Sequence, residues 1–151
     1  MKYLLLCLAL ALTVCLPAAP ALRAQEQETK KKAEETELGR TMEKLNGAWR
    51  KLRRQAADPA SNVASLELVA IIKAGGEKAL TLTPARAADV PAADREEFIT
   101  DYRKDMKDFL FQIGKLEEAF KAGDNTAAPD LVKKIGDLQK EAHKEFKRPD
   151  K

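Results

Sequence analysis

Of the 151 residues only two are cysteines, Cys7 and Cys15, and both lie in an apolar leader. Beyond position 15, disulfides, cysteine-ligated zinc, iron–sulfur clusters and thiol chemistry are excluded. So is any prosthetic group anchored through a C-x-x-C-H motif. There is one histidine, His143. H-E-x-x-H is therefore absent, as are the paired Glu-x-x-His motifs of di-iron bundles; Glu141 stands two residues before His143, not three. No G-x-S-x-G or phosphate-binding loop occurs. No segment alternates with period two, so no strand is expected. Charge of one sign is not in excess either, with 27 Lys and Arg against 24 Asp and Glu, which argues against a commitment to nucleic acid.

What is present begins with a leader. Lys2 precedes an apolar run from Tyr3 to Leu16, followed by Pro17, Ala18, Ala19, Pro20 and Ala21. A charged start, a short apolar core and a small-residue zone make a cleavable signal peptide, 1–24 with cleavage after Ala24, Ala21 being the alternative. The run is too short to remain as a membrane span. A lipoprotein signal would need a small residue directly before the cysteine, where Val14 stands. Loss of Lys2 and Arg23 leaves 25 cations against 24 acids, a net charge of +1. Residues 25–35 are polar and read as a charged N-terminal arm, and residues 36–151 as one domain.

Within that domain the apolar residues follow a 4-3 rhythm. Leu38, Met42, Leu45, Trp49 and Leu52 mark a first helix, ended by Asp58-Pro59. Ser61 or Asn62 caps a second, with Val63, Leu66, Leu68, Val69, Ile71, Ile72 and Leu80 as its apolar residues and Gly75-Gly76 as a weak point. A loop with Pro84 and Pro91 follows. Asp94 and Glu97 have capping-box spacing before Phe98, Tyr102, Met106, Phe109, Ile113, Leu116 and Phe120. Gly123-Asp124-Asn125 ends that third helix. Pro129 opens a fourth, carrying Leu131, Ile135, Leu138, Ala142 and Phe146. The expected fold is all-α, an up-down-up-down antiparallel four-helix bundle.

Two residues carry potential chemistry. Met42 lies near the start of the first helix and His143 near the end of the last. Up-down-up-down topology brings those ends to one pole, where the side chains can face each other. Thioether sulfur and imidazole nitrogen together are the axial pair of low-spin, six-coordinate haem iron, suited to electron transfer. The plain reading of a methionine in a 4-3 stripe is core filler. That of a histidine at a stripe's edge is a half-buried surface group.

Here the chain resembles the soluble periplasmic cytochrome b562 family, a standard example of the up-down-up-down bundle. Leu38-Gly39-Arg40-Thr41-Met42-Glu43-Lys44-Leu45-Asn46 is similar to the family's first-helix motif, and Gln139-Lys140-Glu141-Ala142-His143-Lys144-Glu145-Phe146-Lys147 to its terminal motif. From Gln112-Ile113 to His143 the match runs without a gap, and the Pro84–Pro91 loop falls where the family has its proline-rich connection. The likeness covers about residues 36–148. It implies a non-covalent haem b held by Met42 and His143, with Met106 as the rival to Met42. Leu45, Tyr102 and Met106 would line the pocket. Lys147 stands where the family has arginine and would favour a haem propionate. The chain departs from the family in a longer stretch before the third helix, in its charged arm and in Gly75-Gly76, so no pocket contact is assigned on the second helix.

The resemblance implies a periplasmic one-electron carrier, not an enzyme, that meets redox partner proteins transiently as a monomer, with no nucleic acid and no membrane attachment after cleavage. The alternative is a haem-free helical-bundle binding or sensor module of the cell envelope. A methionine–histidine copper site has few donors to draw on, and a hydrolase has no motif.

Overall fold

A computed structural model describes residues 36–148; the expected signal peptide and the whole of the charged arm, together with residues 149–151, lie outside the described residues. Four helices follow in order: α1 Glu37–Gln55, α2 Asn62–Ala79, α3 Arg95–Ala122 and α4 Ala128–Phe146. Single 3-10 segments, Pro59–Ser61 and Ala85–Asp89, sit in the first and second connections. No strand occurs among the described residues. The bundle is all-α, as its 4-3 rhythm requires.

The helix ends have local causes. Thr36 Oγ1 accepts from Gly39 N at 3.0 Å, satisfying one orphan donor at the start of α1. Glu37 in that first turn pairs with Lys78 at 2.7 Å, and the bond from Lys78 holds its carboxyl below the usual range. Helix α1 stops at Gln55, three residues before Asp58. Asp58 then caps the 3-10 turn, accepting from Ala60 N and from the Ser61 hydroxyl. Gly123 ends α3 at φ 70°, a left-handed geometry that suits glycine. At α3's start Asp94 makes no side-chain cap bond, so the expected capping box does not form.

Each helix packs against its neighbour in sequence, α1 on α2, α2 on α3, α3 on α4. The core is the predicted stripes: Leu45, Trp49 and Leu52 from α1, Val69 and Ile72 from α2, Tyr102, Ile113 and Leu116 from α3, Ile135 and Phe146 from α4. Two expected α2 residues do not join it, since Val63 and Ile71 are exposed. Tight packing takes their place. A Cβ at Gly76 would lie 2.6 Å from Leu110 Cδ2, and one at Gly75 3.3 Å from Leu45 Cβ. The glycines let α2 approach both neighbours.

The two poles differ. At one, Asn125 in the α3–α4 connection donates to the Ala56 carbonyl and exchanges bonds with Asn62 at 2.8 and 2.9 Å, locking the short connections together. At the other, α1 and α4 pack far less against each other than the sequence neighbours do. That seam is the opening described next.

Candidate haem cleft

A cavity of about 460 Å³ opens between the start of α1 and the end of α4, within the ordinary range for small-molecule sites. All six residues assigned from the sequence line it: Met42, Leu45, Tyr102, Met106, His143 and Lys147. They come from three helices and are spread over more than a hundred positions of chain. The topology alone brings them together.

The walls are mainly apolar. Leu45, Tyr102, Met106 and Phe109 are buried beneath the cavity, and Met42 is half-buried. Two contacts hold the third wall. The Tyr102 hydroxyl donates to the Ala79 carbonyl at 3.1 Å, satisfying an acceptor at the end of α2, and its burial pushes the phenol pKa up to about 12. Phe146 packs edge-on against Tyr102 and Phe98, with ring centroids 5.5 and 5.2 Å away. That cluster seats the last turn of α4, one turn from His143.

His143 sits on the rim, still in contact with solvent. Partial burial, and secondarily the Lys147 cation, lower its pKa below the ordinary imidazole value. Both effects favour the neutral ring, the state in which its nitrogen can ligate a metal.

The donor set fits a b-type haem. Two thioethers, Met42 and Met106, and one imidazole line the same apolar space, no thiolate is available among the described residues, and cations stand at the mouth. A purely protein-ligated metal ion fits less well, because no cluster of three or more His, Cys, Asp or Glu occurs among the described residues.

Several lining residues were not assigned from the sequence. Asn46 and Gln139 meet across the α1–α4 seam at 3.4 Å. Asp105 faces the cavity half-buried, and burial, reinforced by Asp108, raises its carboxyl pKa. Pro84 and Ala85 reach the rim from the α2–α3 connection. This strap is fastened to α4: Arg148 grips Asp89 and donates to the Ala85 carbonyl, while Arg86 donates to the Lys144 carbonyl at 2.7 Å. Asp105 carried a local signal, one position from the Met106 stripe, and Asn46, Gln139 and Pro84 lie within the stretches that resemble the family, with no pocket role read for them. The bonds that join seam and strap are long-range pairings.

Fold and cleft together define a small cofactor-binding helical bundle whose site is built from its first, third and fourth helices. A family model, Cytochrome b562, matches residues 37–147, and the chain belongs to the cytochrome b562 family. That family consists of haem-binding electron-carrier cytochromes. Comparison with curated proteins and with solved structures gave no match. No described helix is long and apolar enough to cross a membrane.

Proposed function

We propose that this chain is a periplasmic b-type cytochrome, holding one non-covalent haem through Met42 and His143 and carrying single electrons. One observation supports this above the others: the chain's single histidine and Met42 line the same apolar cavity. Met42 is favoured over Met106 because it is the less buried of the two, half-covered in the cavity wall, whereas Met106 is packed into the core.

Bound haem iron supplies a one-electron ferrous–ferric couple. The chain's residues set its conditions. Leu45, Tyr102 and Met106 exclude water from the site, and Lys147 places a positive charge where a propionate would sit. A thioether donor and an apolar surround both disfavour the extra charge of ferric iron, which raises the potential. The cytochrome b562 family is one of electron carriers, and that supports reading this chain as a carrier and not an enzyme. The leader supports export to the periplasm, and the carrier reading has the chain meet redox partner proteins there as a monomer.

The test is an absorbance spectrum of the leader-free protein with haem, oxidised and then reduced with dithionite. The expected result is a sharp Soret band, with narrow, separate α and β bands on reduction. No Soret shift on adding haem would leave only the scaffold and favour the haem-free binding module.

A further inference from the structure

The bundle's near-neutral charge conceals an uneven distribution. Helix α1 carries Arg40, Lys44, Arg50, Lys51, Arg53 and Arg54 against Glu37 and Glu43, a net +4. Helices α2 and α4 balance, with two cations against two acids and four against four, His143 aside. Helix α3 has six cations against seven acids. The positive excess thus sits on one helix.

Five of these six cations, all but Arg40, are also not spent internally. All six are exposed. Lys73, Lys78, Lys121, Lys133 and Lys144 on the other helices each pair with a carboxylate. Among the described residues no salt bridge or hydrogen bond engages the side chains of Lys44, Arg50, Lys51, Arg53 or Arg54. Arg53 and Arg54 in the last turn gain from the helix dipole, but Arg50 and Arg54, four residues apart, repel each other, and the row presents its charge to solvent.

The helix face that carries Arg50 and Arg54 runs toward the cleft. Glu43 lines the cavity rim. Arg50 and Arg54 follow seven and eleven residues later, which returns each to the same outward face of the helix. Between them Gly47 leaves open space, with nothing within 4 Å of where a Cβ would stand. At 1.5 Å rise per residue, Arg54 lies roughly 18 Å along the axis from Met42. A standard interface of about 800 Å² per partner spans that distance and covers the cleft mouth as well.

We propose that the exposed face of α1 is the docking surface for a redox partner with an acidic surface, which it steers to the mouth of the haem cleft. This rests on the electron-carrier reading. The complementary charges raise the encounter rate and set the orientation, while the short-range contacts at the cleft mouth stay few, so the complex forms fast and parts fast.

The test uses the haem-loaded protein and, as probe, an acidic flavodoxin in its reduced state, with electron transfer followed by stopped flow at low and at physiological ionic strength. The wild-type rate should fall by about tenfold or more as salt shortens the Debye length. Arg50→Glu with Arg54→Glu should slow transfer at low salt by about tenfold and flatten or invert the salt dependence. Lys104→Glu with Lys107→Glu, the same charge change on exposed residues of α3, the helix that does not pack on α1, should leave it within about twofold, as expected for charges away from the encounter path. Equal effects of the two double variants, or a salt-independent wild-type rate, would overturn the proposal. Anisotropy of labelled flavodoxin against the haem-free protein reads the surface separately. If haem does not load, the carrier reading fails, yet binding that the α1 variant abolishes still supports the surface, and binding it leaves unchanged overturns it. Tighter association with vesicles containing phosphatidylglycerol than with flavodoxin would assign the face to an anionic membrane and sink the proposal.

Discussion

Arg148 takes both carboxylate oxygens of Asp89, Nε to Oδ2 at 2.6 Å and Nη2 to Oδ1 at 2.9 Å, across 59 positions of chain. Two parallel bonds fix a planar fork better than one. The pair fastens the α2–α3 strap over the end of α4, beside the cavity rim. Both side chains are about half exposed, so its worth to global stability is small, about 0–1 kcal/mol. Its effect should be local. Asp89→Ala should leave the melting temperature within a few degrees and speed haem release, measured by transfer to an excess of apomyoglobin. Arg148→Ala should do the same, and the double variant should be no worse than either single one. Additive effects would mean that the two side chains act separately.

Three substitutions separate the ligand assignments. His143→Ala should abolish the low-spin spectrum. Met42→Ala should give a mixed or high-spin spectrum and a lower potential, because a soft neutral donor to ferrous iron is lost. Met106→Leu keeps the wall's volume, and should keep a low-spin spectrum with stability changed by less than about 1.5 kcal/mol. Loss of low-spin character in the Met106 variant but not in the Met42 variant would reverse the assignment.

Haem binding should persist into mild acid. The His143 pKa is lowered, first by burial and then by Lys147. Protons compete for the nitrogen that ligates, so the midpoint for acid release should fall below the free imidazole value of about 6.5. The same sign holds for folding of the haem-free chain, where this group's contribution is present above that value and lost as pH falls. Lys147→Ala should move the midpoint upward. A haem titration monitored at the Soret band across pH 4 to 8 measures both.

At the alkaline end Tyr102 governs. Its phenol is raised to about 12 from an ordinary 10. The folded state therefore favours the protonated ring, and this contribution is complete below pH 10 and lost as pH rises from 10 toward 12. Two pKa units correspond to about 2–3 kcal/mol by linkage. Tyr102→Phe gives up the hydrogen bond to Ala79 and should be less stable at neutral pH by about 1 kcal/mol. Its denaturation midpoint should vary less than wild type's across that alkaline window. Parallel loss of stability in both proteins would remove Tyr102 as the cause.

Much of this was legible in sequence because it is periodic. Leu45, Trp49, Leu52, Tyr102, Ile113, Leu116 and Phe146 occupy the core their spacing assigns. Met42 shares the spacing but stays half-buried, because its stripe position falls where α1 parts from α4. Val63 and Ile71 were misplaced for another reason. Helix α2 is apolar on more than one side, and a stripe that wide does not say which residues face in. Gly75 and Gly76, read as weakness, are the close approach that replaces them. Asp94 and Glu97 have the spacing of a capping box, but the Asp94 backbone is already in the right-handed helical region, unlike the extended geometry a capping side chain needs. The Arg148–Asp89 and Asn46–Gln139 pairs were invisible, since nothing local marks partners so far apart. The cation row on α1 was hidden by averaging, because 27 charges of one sign and 24 of the other look evenly mixed until the helices are counted separately.

The thin packing between α1 and α4 has a last consequence. These are the first and last helices of the bundle, so the seam between them can part without threading any loop, and the two hairpins can swing like the covers of a book. Under the proposed ligation, an occupant bonded to positions 42 and 143 ties nearly the two ends of the domain together. That is a cross-link of the kind small exported proteins often obtain from a disulfide, in a chain with no cysteine past position 15. Unlike a disulfide, it exists only while the site is filled, so the integrity of the seam is set by mass action. A protease added to the haem-free protein would meet the seam first, and saturating haem would close it.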